Sequence, residues 1–319
     1  MTQIFEKFLR KRKQAKNYPA KYQDVFDGNQ LDLMQYIKTG ALPGDYLPPA
    51  ELQIAPWETF SELLINASYY EILAEAEFVT EDRINYPYLV QAMSYSYFYS
   101  AMRFYNLQRF QSRFGRDYDA GISPNIIFNL CLAELAGVSL YSQRLFSFFK
   151  QGYVRNWFNR SNSHLSDAII LLYAAYLGQP MEPTVGQFAY KGLIAQFAYK
   201  ELIADWDTTD LQKVSSLLQQ LCDDQMLQVV APPSKFFIEL GNMNWQFIPY
   251  PALLLMKLRQ NRGLANPQFE HPGFGALNPL LISTAVPLVI DDTLAAVLDR
   301  ARLQGFDDEA IFAAGSLGG

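Results

Sequence analysis

The chain has 319 residues, half of them hydrophobic and 15% aromatic, a composition that supports a large buried core and excludes an intrinsically disordered protein. A net charge of −6 and a pI near 5.1 argue against general nucleic-acid binding or attachment to anionic membranes. The two cysteines, Cys131 and Cys222, sit apart in apolar stretches and supply neither a disulfide framework nor a zinc site.

Charge is uneven along the chain. The first 21 residues hold seven Lys or Arg and one Glu, a balance of +6, which leaves −12 for the remainder. A helix is predicted over 3–16, with Ile4, Phe5, Phe8 and Leu9 on a narrow apolar face and Lys7, Arg10, Lys11 and Lys13 around it. Arg12 falls back into that apolar arc. The face is too narrow for stable membrane attachment, so this helix is expected to dock by its apolar edge. The same segment has no apolar signal-peptide region. The longest apolar runs, AIILLYAAYL and PLLISTAVPLVI, are too short or too proline-broken to span a bilayer. A cytoplasmic protein without membrane contact is the expectation.

Further helices are predicted over 56–77, 87–114, 124–150, 164–178, 184–204, 208–222, 249–262, 291–304 and 307–314. Pro56 and Pro124 suit first helical turns, and Thr208 or Thr209 would cap the helix that follows. In 87–114 the arginines Arg109, Arg113 and Arg116 share one sector, and Tyr99, Leu107, Phe110 and Phe114 another. Such a face could clamp single-stranded nucleic acid, but overall acidity favours a wet arginine side and a packed aromatic side. His164 lies in NRSNSHLSDA, where Ser163, Ser166 and Asp167 read as helix-start chemistry.

Residues 187–204, QFAYKGLIAQFAYKELIA, repeat a nonapeptide with a single change, Gly192 to Glu201. Nine residues at about 100° each turn a helix half a turn past a whole number of turns. Phe188 and Phe197 then point in opposite directions, and apolar residues surround the helix, the pattern of a packed central element. The adjoining GQPMEPT (178–184) is the best candidate boundary, giving N-terminal and C-terminal helical halves over 1–180 and 181–319.

After Trp206 the sequence ADWDTTD gathers Asp205, Asp207 and Asp210, and Asp223 and Asp224 follow one helix later. If the two helices form a hairpin, the first three acids lie at its turn and the last two at its far end. A tryptophan among carboxylates suits a surface that receives a basic partner, although helix capping explains the first group equally well. Asp223 and Asp224 stand where acids would oppose the helix dipole, so capping does not explain them; they are also the best pair for a carboxylate-dependent enzyme. The segment MLQVVAPPSKFFIELGNMNWQFIP is less helical and is read as a short hairpin or a long ordered loop. Asp291–Asp292 and Asp307–Asp308 read as helix N-termini.

Catalytic signatures are weak throughout. Only His164 and His271 exist, neither with a second ligand at metal spacing. There is no G-x-S-x-G or P-loop, and GFG at 273–275 is an incomplete dinucleotide fingerprint. No catalytic residue, cofactor or metal is expected. An all-α array of two sub-bundles sharing a core, with a short β-hairpin at most, is the predicted fold.

One stretch carries a resemblance. FIPYPALLLMKLRQNRGLANPQFEHPGFGALNPL (247–280) is similar to a C-terminal segment of helical immunity proteins from bacterial polymorphic-toxin and type VI secretion systems. The shared residues are the apolar helix Pro249 to Leu258, then Arg259, Gly263 and Leu264, and later His271 and Pro272. The resemblance implies a non-enzymatic protein that binds and blocks one cognate toxin domain in the cytoplasm, with a nuclease as the candidate toxin. An acidic inhibitor suits a basic, phosphate-binding active site. No toxin-contacting residue of that family maps onto this chain. A helical adaptor is the remaining alternative, although the chain lacks the repeat period of a solenoid.

Overall fold

The computed structural model describes residues 2–43, 61–115, 122–158, 164–179, 181, 199–232, 239–307 and 309. Eleven α-helices occupy them: α1 (Thr2–Ala15), α2 (Tyr18–Thr39), α3 (Glu62–Glu81), α4 (Tyr86–Phe114), α5 (Asn129–Leu135), α6 (Ser139–Val154), α7 (His164–Tyr176), α8 (Tyr199–Asp205), α9 (Leu211–Val230), α10 (Tyr250–Asn261) and α11 (Asp292–Leu303). Among the described residues the β structure is one antiparallel hairpin, β1 (Glu270–His271) with β2 (Gly275–Ala276), and a single isolated bridge between Ile122 and Phe158. The fold is an all-α array with a short hairpin.

Helices α3 and α4 form the most extensive pair, and α2 packs against α3. Elements on either side of residue 180 interleave: α1 lies on α9, α2 on α11 and α5 on α10. One cluster of buried apolar side chains runs from Phe8 to Phe306. Helix α1 docks by its apolar edge, its Phe8 ring 5.5 Å from Phe247 and 5.1 Å from Phe274. Arg12 occupies its place in the apolar arc by lying over the Phe78 ring and reaching the Gly273 carbonyl and the Asp82 carboxylate. On α4, Arg109 and Arg113 lie over Tyr105 and Phe114, while Leu107 and Phe110 are buried, and Arg116 is outside the described residues.

Several boundaries differ from the sequence reading. Helix α2 was not predicted, because Asp24, Asp27, Gly28 and Asn29 break its apolar periodicity. Its end signals are nevertheless present, with Pro19 in the first turn and Gly40 left-handed at the C-cap. The single helix expected over 124–150 is a 3-10 turn, Pro124–Phe128, followed by α5 and α6. The break is Gly137, at φ 75°, where an added Cβ would lie 2.9 Å from the Ala285 backbone. Helix α9 is capped by Asp210, not by Thr208 or Thr209, and runs on to Val230. Of the two readings of 226–249, a hairpin or an ordered loop, the described part carries no strand: α9 runs on to Val230 and irregular chain fills 239–249, while a hairpin forms at 270–276. Pro56, Ser163, Asp308, the first copy of the nonapeptide and most of 307–314 lie outside the described residues. In α8, part of the second copy, burial is one-sided: Tyr199 and Leu202 face inward, Lys200 and Glu201 outward.

Both cysteines are free and buried, and burial pushes their thiols up. No helix among the described residues is long and apolar enough to cross a membrane.

Candidate functional site

The α8–α9 connection is a tight turn held from beneath by one guanidinium. Arg259, on α10, is completely buried. Its Nη1 donates to the carbonyl oxygens of Trp206 at 2.7 Å and Thr208 at 2.9 Å. Its Nη2 donates to the Ala265 carbonyl at 2.7 Å, and its Nε to Asn266 Oδ1 at 3.2 Å. Burial pulls the Arg259 pKa down and the Asp207 charge opposes that shift. The α10 exit that presents Arg259 ends in a Schellman turn: Gly263 is left-handed, its N–H donates to Gln260, and the Leu264 N–H donates back to the Arg259 carbonyl. The Arg-x-x-x-Gly-Leu signature is therefore a turn that aims an arginine under the acidic stretch.

This support fixes what the turn displays. Trp206 is corrected from a surface anchor to a buried one, with its ring 5.8 Å from Tyr176 in an edge contact. Asp205 is half-buried and pairs with Lys213 at 2.8 Å. Asp210 is exposed and accepts from the Gln212 and Lys213 N–H groups as the α9 cap. Asp207 is exposed and makes no hydrogen bond among the described residues, and Leu211 beside the cap is 40% exposed.

Asp223 and Asp224 do not join this surface or each other. Both sit inside α9, two turns before its end, so the expected clash with the helix dipole does not arise. Asp224 is corrected from a surface acid to a buried one, accepting from the Tyr199 hydroxyl and the Gln228 amide. Asp223 contacts His271 Nε2 at 3.2 Å. Burial works to raise the Asp223 pKa, but hydrogen bonds from His271 and Gln219 outweigh it and hold the carboxyl below its ordinary value. His271 Nδ1 accepts from the Gly273 N–H at 3.1 Å, so both ring nitrogens are engaged in fixing the hairpin. His164 begins α7, and burial lowers its pKa. Among the described residues no group of three His, Cys, Asp or Glu could hold a metal ion.

A second group of residues escaped the sequence reading. Glu71 and Glu75 are buried four residues apart on α3, facing the irregular chain at 241–249. Glu75 accepts from the Phe247 N–H at 2.6 Å and the Ile248 N–H at 3.2 Å. Gln225, from α9, donates to the Gln246 and Ile248 carbonyls. These side chains supply the partners that a buried loop lacks. Glu71 accepts from the Asn244 amide, and burial lifts its pKa to about 8 with that bond opposing. A carboxylate pair spaced i, i+4 within the apolar run LLINASYYEILAEAEF was the available signal. Compared with known proteins, the chain matches no family model, no curated protein and no solved structure.

Proposed function

We propose that the chain is an immunity protein that binds and neutralises a cognate toxin domain in the cytoplasm, presenting the α8–α9 turn to a basic surface of that domain. The observation that carries this reading is the rigid display of the turn. A fully buried arginine fixes the backbone on both sides of Asp207 and leaves that carboxylate in solvent. A pre-formed surface loses less conformational entropy on binding, and exposed carboxylates steer a cationic partner. The exposed Leu211 adds an apolar contact beside the acids. The similarity of 247–280 to immunity proteins supports the same reading, because it includes the arginine and the turn that hold the surface. Asp223 and Asp224, on which a carboxylate mechanism would have rested, diverge to separate structural partners.

Co-expression with the protein encoded immediately upstream provides the test. Co-purification of a toxic domain, with suppression of its killing, is the expected result. Loss of protection when Asp205, Asp207 and Asp210 are reversed to Lys would place the interface at the turn. Killing that continues unchanged beside the wild-type chain, with nothing bound to it, would refute the reading.

A further inference from the structure

Between α3, α4, the 3-10 turn before α5, and the chain at 242–245 lies a cavity of about 280 Å³. Its mouth is formed by Leu64, Ser68, Ser123 and Asn242, all partly or fully exposed. Glu71, Asn129, Asn244 and Trp245 are buried and line its interior. Two features of that interior are unusual for a space with only structural duties. Asn129 is 2% exposed, yet among the described residues its amide nitrogen has no hydrogen-bond partner. Glu71 uses one carboxyl oxygen for Asn244, and among the described residues no hydrogen bond engages the other. Buried polar groups are normally paired, so an orphan donor and a half-used carboxyl in one cavity call for a ligand.

The charge of that ligand follows from the walls. No Lys, Arg or His lines the cavity among the described residues. The titratable groups facing Glu71 are Glu75 on its own helix, Tyr22 on α2 and Tyr250 on α10, none of them cationic. Trp245 and Tyr99 contribute aromatic wall, which suits an alkylammonium group. From this geometry we infer that the cavity is a binding site for a small organic ammonium compound that also carries a hydrogen-bond acceptor. The ammonium bonds the free oxygen of Glu71, and the acceptor takes the Asn129 amide N–H. The volume matches a small metabolite at the lower end of ordinary ligand pockets. This site is separate from the α8–α9 turn and does not depend on the toxin-binding reading.

Binding is coupled to a proton. Burial raises the Glu71 pKa to about 8, so the carboxyl carries its proton at neutral pH. An incoming ammonium must displace that proton to solvent, so affinity falls on acidification. The test is isothermal titration of the full chain with ethanolamine and 4-aminobutan-1-ol, and with ethylene glycol and butane-1,4-diol as uncharged controls of matching length. At least one amine is expected to bind with a dissociation constant below about 1 mM near pH 8.5, and neither diol to bind. Moving to about pH 6.5 should weaken the amine by about 25-fold, the ratio of ionised Glu71 at the two values. Glu71→Gln keeps the Asn244 contact and should abolish binding. Ser68→Phe, which narrows the cavity from a partly exposed wall position and leaves the Glu71 carboxyl in place, should abolish it too in a variant that still folds. Silence from both amines, equal binding of the diols, or unaltered binding by a folded Glu71→Gln variant would each overturn the assignment.

Discussion

Arg259 and the Glu71–Glu75 pair face the same problem in two parts of the molecule, and the outcomes differ. Each lies buried beneath irregular chain whose backbone groups cannot reach water. Arg259 donates to three carbonyls and an amide oxygen, so a delocalised charge that cannot be shed is spread over four acceptors. The glutamates serve two N–H groups and an amide in the chain just before α10, and among the described residues no cation lies against Glu71. Burial raises both of their pKa values, to about 8 for Glu71. A saturated buried charge becomes a rigid support whose useful face is the outer surface of the turn above it. An unsaturated one leaves chemistry facing inward, into a cavity.

That contrast makes its largest prediction at Arg259. Arg259→Met removes the donors of three carbonyls and should cost about 3–5 kcal/mol in denaturant unfolding. A loss under about 1 kcal/mol would mean that the turn holds its shape unaided. Glu75→Leu strands the Phe247 and Ile248 N–H groups and should cost about 2–4 kcal/mol, whereas Glu75→Gln, which keeps an acceptor, should cost about 1 kcal/mol.

The two regions should also separate by pH. A carboxyl whose folded pKa is raised binds more protons in the folded state than in the unfolded one. The stability linked to it is complete below its unfolded pKa and is lost as pH rises through the folded pKa. For Glu71 that window runs from 4.5 to about 8. Across it the group should make stability fall by about 1.4 kcal/mol per pH unit, a slope that Glu71→Gln removes and Asp207→Lys leaves in place. A pH profile identical in wild type and Glu71→Gln would show that Glu71 ionises normally in the folded protein. The smallest effect on stability belongs to Asp207→Lys. Solvent-exposed and free of hydrogen bonds, it should shift stability by no more than about 0.5 kcal/mol.

Much of this fold was legible in periodicity and punctuation. The apolar stripes of α1 and α4, the Asp291 cap of α11 and the glycine exit of α10 each carry a local signal that tertiary packing did not override. Helix α2 was hidden because a polar residue, Asn29, is buried while apolar Val25, Leu31 and Met34 are exposed, and its Pro19 and Gly40 punctuation went unweighted. Helix α9 was cut short at Asp223–Asp224 because two adjacent acids look like a solvated end. The helix continues because Asp224 turns inward to Tyr199 and Asp223 to His271, contacts 25 and 48 residues away in sequence. The acidic turn was visible as composition, but its rigidity depends on an arginine more than 50 residues downstream. The Glu71 cavity was less visible still, since its walls come from four separate segments and no local spacing brings them together.

The central claim, that Arg259 holds the turn so that Asp207 meets a basic partner, is tested most directly by one comparison. Purified wild-type chain and its Asp207→Lys variant would each be titrated calorimetrically with the protein encoded upstream, the proposed toxin, beside their denaturant unfolding curves. The account predicts that the variant unfolds at the wild-type midpoint and binds at least about tenfold more weakly, a loss of about 1.4 kcal/mol or more. Equal affinity of the two proteins, or no binding by the wild type, would contradict it.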